Sequence, residues 1–415
     1  MFRSTESHKR KHFSISAEEE LCNLRSLPKE AFFYTQQRQY GLGKRLPQSI
    51  FSDYLAEQIP CLLQEREFKL GSINKIFAAK WLSDKQVVFG TKCNQLIVLD
   101  TTSGRMTNIP KLKSSEESIP AKCPCGIHSI AINPSNTLLA TGANHTNDIA
   151  VYKLPTFDPV CVGELGHKDW VFDLVWIDDE FVLSGSRDNN LALWKIDNCD
   201  DDRSSHVNTL YIPEYTVKHP VTVQYCQKAE KVRALAFHQE RKELAALSLN
   251  GYFHLWDVET FTQMPSKNLM DITESVCLSV NQKKVLYAVG CHSSVLLVDP
   301  RSDCHITPIS KHPGRGIRSV SFNEDILTIG TGYGMVLFYD LRACKYIQHN
   351  CGHACYLSVG SGWLKPEEDD RYFLSNPGFP NAVYTHAYDS SGTRLFAAGG
   401  PLSSVSWGNY AGLWY

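Results

Sequence analysis

Six segments of this chain end alike, each an apolar run closed by a polar residue: QLIVLD to Asp100, DIAVYK to Lys153, LALWK to Lys195, YFHLWD to Asp257, SVLLVD to Asp299 and MVLFYD to Asp340. A seventh, AGLWY, reaches Tyr415. Ahead of each lies a second apolar run, and in five of the six a small residue closes it: VVFGT, LLATG, FVLSGS, LYAVG and ILTIGT. Earlier still comes an alternating segment, such as HSIAIN, FDLVW, RALAF, VCLSV, RSVSF or YTHAY. Alternation at period two marks a strand with one buried face, and Val, Ile, Phe and Trp favour that state.

Three strands per unit, recurring roughly every 41 residues where no insertion intervenes, match a WD-repeat period of about 40–45. Four-stranded blades of this kind close into a ring. The expected fold is all-β, a seven-bladed WD40 β-propeller over residues 67–415 with an N-terminal helical extension. The last unit stops on its third strand, so an N-terminal strand must complete it, and Glu67 to Leu70 is placed to do so. The third unit carries the signature most fully, as GHKDW (Gly166 to Trp170), SGSRD (Ser184 to Asp188) and LALW ending at Trp194. His167 beside Asp169 or Asp188 is expected to tie the blade together through a strand hydroxyl, not to act as an acid–base pair. The sequence has no GxSxG elbow, Walker loop or HExxH segment, and GRGIRS at Gly314 to Ser319 precedes a strand rather than a helix. A binding protein without catalytic activity or cofactor is expected.

Composition narrows the class of partner. The 42 basic and 44 acidic residues are too evenly matched for bulk nucleic-acid binding. No apolar run approaches the ~18 residues of a membrane span. MFRSTESHKRKHF lacks the apolar stretch of a secretory signal, so a cytoplasmic and nuclear location is expected, with Lys9 to Lys11 as a candidate import signal. The 14 cysteines include close pairs only at Cys123 with Cys125 and Cys351 with Cys355, neither matched by a second pair, so reduced cysteines and no metal are expected. Cys61, Cys93, Cys161, Cys277 and Cys291 sit in apolar segments as small hydrophobes.

Outside the repeats, residues 1–26 are polar and expected to be disordered. Residues 27–66 are expected to be helical: Lys29 to Arg38 follows Pro28, and Ser49 to Arg66 carries a stripe of Ile50, Tyr54, Leu55, Ile59, Leu62 and Leu63, interrupted at Pro60. Phe32, Phe33 and Tyr34 favour a docking element. The polar stretches 197–230 and 344–378 are expected to be loop insertions.

In a propeller the inner strands begin on one face, and the loops between second and third strands return to it. One ring of aligned positions there holds Phe77, His128, Phe172, Arg233, Val276, Arg318 and Tyr384. The other holds Lys92, His145, Arg187, Leu249, Cys291 and Gly332, with Lys75 and Lys231 just outside the first ring. No Asp or Glu occupies either ring. Cations lining a low-dielectric funnel focus field onto an acidic ligand, and arginine's fork suits a carboxylate. A peptide ending in acidic side chains plus its α-carboxylate suits such a mouth. A phosphorylated peptide is the runner-up.

The phrases LLQEREFKLGSINKIFAAKWL, GIHSIAINPSNTLLATG, LPTFDPVCVGE, LNGYFHLW, LFYDLRA and FPNAVYTHAYDSSGTRLF, with FGTKCN, GHKDW, SGSRD, KVRALAF and GIRSVSF, make residues 60–415 resemble the cullin-4-associated WD-repeat factor 12 family. The resemblance implies the substrate-recognition subunit of a cullin-4 RING ubiquitin ligase, docked on the adaptor damaged-DNA-binding protein 1 and marking bound proteins for degradation. It implies recognition of acidic, di-glutamate-type C-terminal ends by Lys75, Lys92, Arg187, Lys231, Arg233 and Arg318; the ring alignment adds His128 and His145 as further rim positions. It also implies adaptor docking through helical residues Phe33, Tyr54 and Leu55 and through the boxes Tyr339-Asp340-Leu341-Arg342 and Val298-Asp299-Pro300-Arg301, where Tyr and Val replace the family's Trp. The competing reading is a scaffold that bridges proteins without a ligase.

Overall fold

In four repeats the middle strand carries a glycine at or near its end because the next repeat leaves no room for a larger residue. A Cβ added to Gly185 would lie 2.8 Å from Val232 Cγ1, and one on Gly90 would lie 2.4 Å from Ile127 Cγ2. Gly290 and Gly330 meet Ile317 and Val383 in the same way. The pattern therefore encodes how one blade packs on its successor. The computed structural model describes residues 48–62, 64–123, 125–197, 215–269, 274–292, 294–301, 306–311, 316–349, 352–365 and 381–415. Residues 1–26, the Lys29 to Arg38 helix and Phe33 lie outside these.

Seven sheets form a seven-bladed propeller, antiparallel throughout except for one parallel strand added to blade two. Their inner strands are Ile76–Ser83, Ile130–Ile132, Val171–Trp176, Val232–His238, Cys277–Asn281, Ile317–Asn323 and Ala382–Tyr388, in blades one to seven. Apolar side chains of neighbouring sheets interleave as interblade layers. Ala131, Val151 and Cys161 of blade two, for example, pack against Leu174, Val182 and Trp194 of blade three. Each layer joins two consecutive repeats, so closing the ring is what buries the seam between the first and last. There Phe396, Ala411 and Leu413 meet Ile76, Val87 and Phe89, with Phe68 and Leu70 between them.

The closing strand is Glu65–Glu67, paired Glu65 with Trp414 and Glu67 with Gly412, rather than Glu67 to Leu70. The propeller thus begins two residues before the expected boundary. Phe68 and Leu70 are the apolar residues of this segment, and they enter the seam as side chains. The charged residues ahead of them supply the ladder from the solvent side.

Both expected insertions also contain strands. Residues 197–230 yield Thr216–Lys218, a parallel fifth strand on blade two, before Thr222–Tyr225 completes blade three. Within 344–378, Lys345–Tyr346 and Tyr356–Ser358 form the outer edge of blade six, and Trp363–Leu364 pairs with the last strand of blade seven. Strands of two to four residues with one exposed edge carry too little alternation to stand out from loop.

In the third blade His167 Nε2 lies 2.7 Å from Ser184 Oγ, which also accepts from Trp194 Nε1 at 2.8 Å, while His167 Nδ1 faces Asp188 at 3.4 Å. Burial opposes the Asp188 charge, but His167 and the N–H groups of Lys168 and Asn190 outweigh it and hold the carboxyl below its usual range. This is the structural set expected of the signature. Cys161 and Cys291 are buried as expected, whereas Cys61 is exposed at the end of the helical segment.

Ahead of the propeller, the described residues hold one α-helix, Gln48–Gln58, which passes into a 3-10 turn at Ile59–Cys61, where Pro60 sits. Ile59 and Leu62 pack into the layer between blades six and seven, against Phe338, Ile347, Leu395 and Trp414. Burying such side chains stabilises by about 1.5–3 kcal/mol each. No helix of the described residues is long and apolar enough to cross a membrane.

Candidate functional site

The central channel opens into a cavity of about 490 Å³ lined by Phe77, His128, Phe172, Arg233, Arg318 and Tyr384, among others. These are first-ring positions, brought together because each stands at or close to the start of an inner strand. Lys92 and Arg187 converge on the same mouth. The Cys125 thiol, raised by burial, feels Lys92, Arg233 and Arg187 as charges pulling it back down. Cys277, pushed up to about 12 chiefly by burial and by Cys291, feels Arg318 and Arg233 likewise. Arg233 therefore belongs to both halves of one cationic cluster.

The six expected cations differ in what already holds them. Lys75 is only 1 % exposed and donates from Nζ to the Ser403 carbonyl. Lys92 donates to the Ser404 carbonyl, and its backbone N–H donates to Lys75 O at 2.8 Å. Arg187 lies 3.7 Å from Asp169, and Lys231 lies 3.6 Å from Glu230. The aligned rings carry no acid, but their flanking residues do. Arg233 and Arg318 have neither a hydrogen bond nor an ion pair among the described residues, and Arg318 Nε is shut off from solvent without a partner. Burial lowers the Arg233 pKa from its ordinary value, Asp173 draws it back up, and Arg318 pushes it further down.

Rings line the same mouth. Phe77 stacks on His128 at 4.6 Å and meets Tyr384 edge-on at 5.4 Å. His128 meets Phe172 edge-on at 5.1 Å. Arg187 lies over the Trp170 ring at 4.6 Å and Arg233 over Phe172 at 4.3 Å. His128 is not an added rim cation: burial, then Arg233, push its pKa well below the usual range, so it serves as a neutral ring. His145 is engaged elsewhere, 3.0 Å from Ser118 Oγ and 3.6 Å from Asp148.

Three features were not foreseen. Lys80 lines the cavity, its side chain exposed to that space, and enclosure by the surrounding strands lowers its pKa while Asp173 opposes the shift. The sequence held a signal, since the equivalent inner-strand positions carry Ala131, Val175, Ala236, Ser279, Ser321 and Ala387. Asp173 accepts from Ser129 Oγ at 2.7 Å and from the N–H groups of Leu235 at 2.7 Å and Leu174 at 2.9 Å, tying blades two, three and four. The loop Pro401 to Trp407 contributes carbonyl groups to the mouth, a role that no side-chain pattern announces.

On the opposite face, Arg342 is enclosed by acids. It donates to Asp340 Oδ2 at 3.1 Å and to Asp53 of the helix, and Asp325 lies 3.8 Å away. Arg301 forks onto Asp299 at 2.9 and 2.7 Å. Tyr339 is partly buried, 5.4 Å from Tyr346. Tyr54 is 46 % exposed, but Leu55 is 1 % exposed, so Leu55 anchors the helix and does not face outward with Tyr54 as expected. Adjacent residues of a helix point about 100° apart, which separates the two.

Over 255 residues the chain is 24 % identical to the guanine nucleotide-binding protein subunit beta of Saccharomyces cerevisiae, a match covering 59 % of this chain and 53 % of that protein. The chain thus spans about half the length of that curated relative. The model of the DDB1- and CUL4-associated factor 12 beta propeller matches residues 59–415, which takes in every blade and the turn that precedes the closing strand. With the repeat pattern, the seam and the mouth all inside that match, the chain belongs to the DDB1- and CUL4-associated factor 12 β-propeller family.

Proposed function

We propose that this protein is the substrate-recognition subunit of a cullin-4 RING ubiquitin ligase, holding acidic C-terminal ends of its substrates in the channel mouth. The observation that carries the ligand chemistry is the pair Arg233 and Arg318, which line the mouth with neither a hydrogen bond nor an ion pair among the described residues. Leaving a charge enclosed and unpaired costs several kcal/mol, so a bound anion gains what the empty fold lacks. A C-terminal diacid offers three carboxylates, enough to engage arginines that stand on different blades. In this role the protein works in cytoplasm and nucleus and neither needs a cofactor nor performs the transfer itself. The adaptor, damaged-DNA-binding protein 1, docks on the opposite face, around Tyr54, Arg342 and Arg301.

The test is affinity for a peptide ending in two glutamates against the same peptide amidated at its C-terminus. Equal affinity for both would remove the acidic-terminus reading. Pull-down of the adaptor by the full chain, and its loss when the chain starts at Glu65, tests the docking side. The likeness to a guanine nucleotide-binding subunit supports the second reading, a scaffold outside any ligase. Failure of the full chain to capture the adaptor would favour it.

A further inference from the structure

The cations of the mouth stand close to one another, and ion pairs account for only part of how their forks are held: Asp169 lies 3.7 Å from Arg187, while Arg233 has no ion pair among the described residues. Arg233 illustrates the problem, since Arg318 and Arg233 repel across the opening. What lies against Arg233 is the face of Phe172 at 4.3 Å, and what lies against Arg187 is the face of Trp170 at 4.6 Å. A guanidinium over a ring face is attracted by the ring's quadrupole and keeps its N–H edge free for a ligand.

The two rings are themselves fixed. Phe172 is gripped edge-on by His128 at 82° and by Trp170 at 83°, and His128 stacks on Phe77 within 6° of parallel. The Trp170 indole N–H donates to the Cys123 carbonyl. Rings from blades seven, one, two and three thus form one wall, on which two arginines from blades three and four rest. Resting on the reading of the mouth as a carboxylate site, we propose that Trp170 and Phe172 are positioning residues that set the Arg187 and Arg233 forks for the acidic terminus before it arrives. A fork already in place loses less freedom when it binds, which strengthens the complex without a new contact.

The experiment uses the full chain and a fluorescent peptide ending in two glutamates. Trp170→Leu and Phe172→Leu each weaken binding about tenfold, the scale of a cation–π contact in a desolvated site. Trp170→Phe and Phe172→Tyr, which restore a ring face, stay within about threefold of wild type. Leucine variants that bind like wild type would overturn the proposal. So would ring-restoring variants that lose as much as the leucine ones, because packing and not the aromatic face would then be responsible. A leucine variant that fails to fold is replaced by a spectroscopic comparison. Peptide changes the tryptophan emission of wild type, and Trp170→Phe, which still binds, loses most of that change. A full-size change in that variant would also overturn the proposal. Wild type that ignores the peptide would instead remove the acidic-terminus reading itself.

Discussion

Arginine plays opposite parts on the two faces of this propeller. At the mouth, Arg233 and Arg318 are half-buried and have neither a hydrogen bond nor an ion pair among the described residues. On the other face, Arg342 meets Asp340, Asp325 and Asp53. There the Asp340 carboxyl is held below its usual range: burial opposes the charge, and Arg342 overcomes it. The difference separates two uses of a charge. A cation surrounded by the protein's own carboxylates staples one element to another, here the helix to blade six. A cation left without them stores an unmet interaction that a ligand can satisfy.

The largest effect expected from this contrast is on the ligand. Arg233→Glu sets a carboxylate against a carboxylate in an enclosed mouth and lowers affinity for a di-glutamate terminus by on the order of 5 kcal/mol, beyond detection at micromolar peptide. Arg342→Ala, by titration with the same peptide, leaves that affinity within about twofold, since a satisfied staple contributes nothing at the mouth. Comparable losses in both variants would erase the distinction.

Next in size is the anchor beneath the staple. Leu55→Ala removes a side chain that is 1 % exposed and lowers unfolding free energy by about 3 kcal/mol, measured by denaturant melts. Tyr54→Ala, one residue away and 46 % exposed, changes it by less than about 0.5 kcal/mol. The reverse order would mean that the helix is turned the other way.

Acid tests the buried neutral groups. His386 and His254 have pKa values lowered from 6.5 to about 4, in each case chiefly by burial, then by Lys80 and Lys228 respectively. Below pH 6.5 the unfolded chain takes up protons that the folded histidines refuse. Their contribution is therefore fully present above that pH and is lost as pH falls toward 4, by about 2 kcal/mol per histidine at pH 5. His386→Asn, which can still bond to Ser319 and Ser321, should flatten the dependence of melting temperature on pH between 7 and 5, as read by calorimetry. An unchanged slope would place the acid sensitivity elsewhere.

The smallest effect runs the other way. Arg318→Met removes a half-buried charge that has no ion pair among the described residues and raises stability by about 1 kcal/mol, or roughly 2 °C, while weakening the peptide about tenfold. Loss of both stability and binding would mark Arg318 as a structural residue instead.

How much of this was legible follows from where each interaction lies along the chain. Alternation, the small residue ending each middle strand and the polar residue ending each third strand are local, and they specify blades because every repeat meets the same neighbour in the same way. The cationic mouth was legible for the same reason, as aligned positions of a ring share one face. The helical stripe located Leu55, Ile59 and Leu62 but could not tell which side the propeller would take, so Tyr54 and Leu55 were grouped although they part. His128 has the composition of a rim cation, yet its charge depends on Phe77, Phe172 and Arg233, three residues from different blades. Lys75 and Lys92 likewise look available until the Ser403 and Ser404 carbonyls reach them, more than 300 residues along the chain.

The sequence by itself determined the number of blades, their order and the face on which the cations gather, because periodic burial needs only neighbours in the chain. Tertiary structure alone decided which cations meet an acceptor within the chain and which do not. That depends on the field and the donors that distant segments bring within a few ångströms when the ring closes, and Coulomb energy in an enclosed site varies too steeply with such distances to be fixed by residue type.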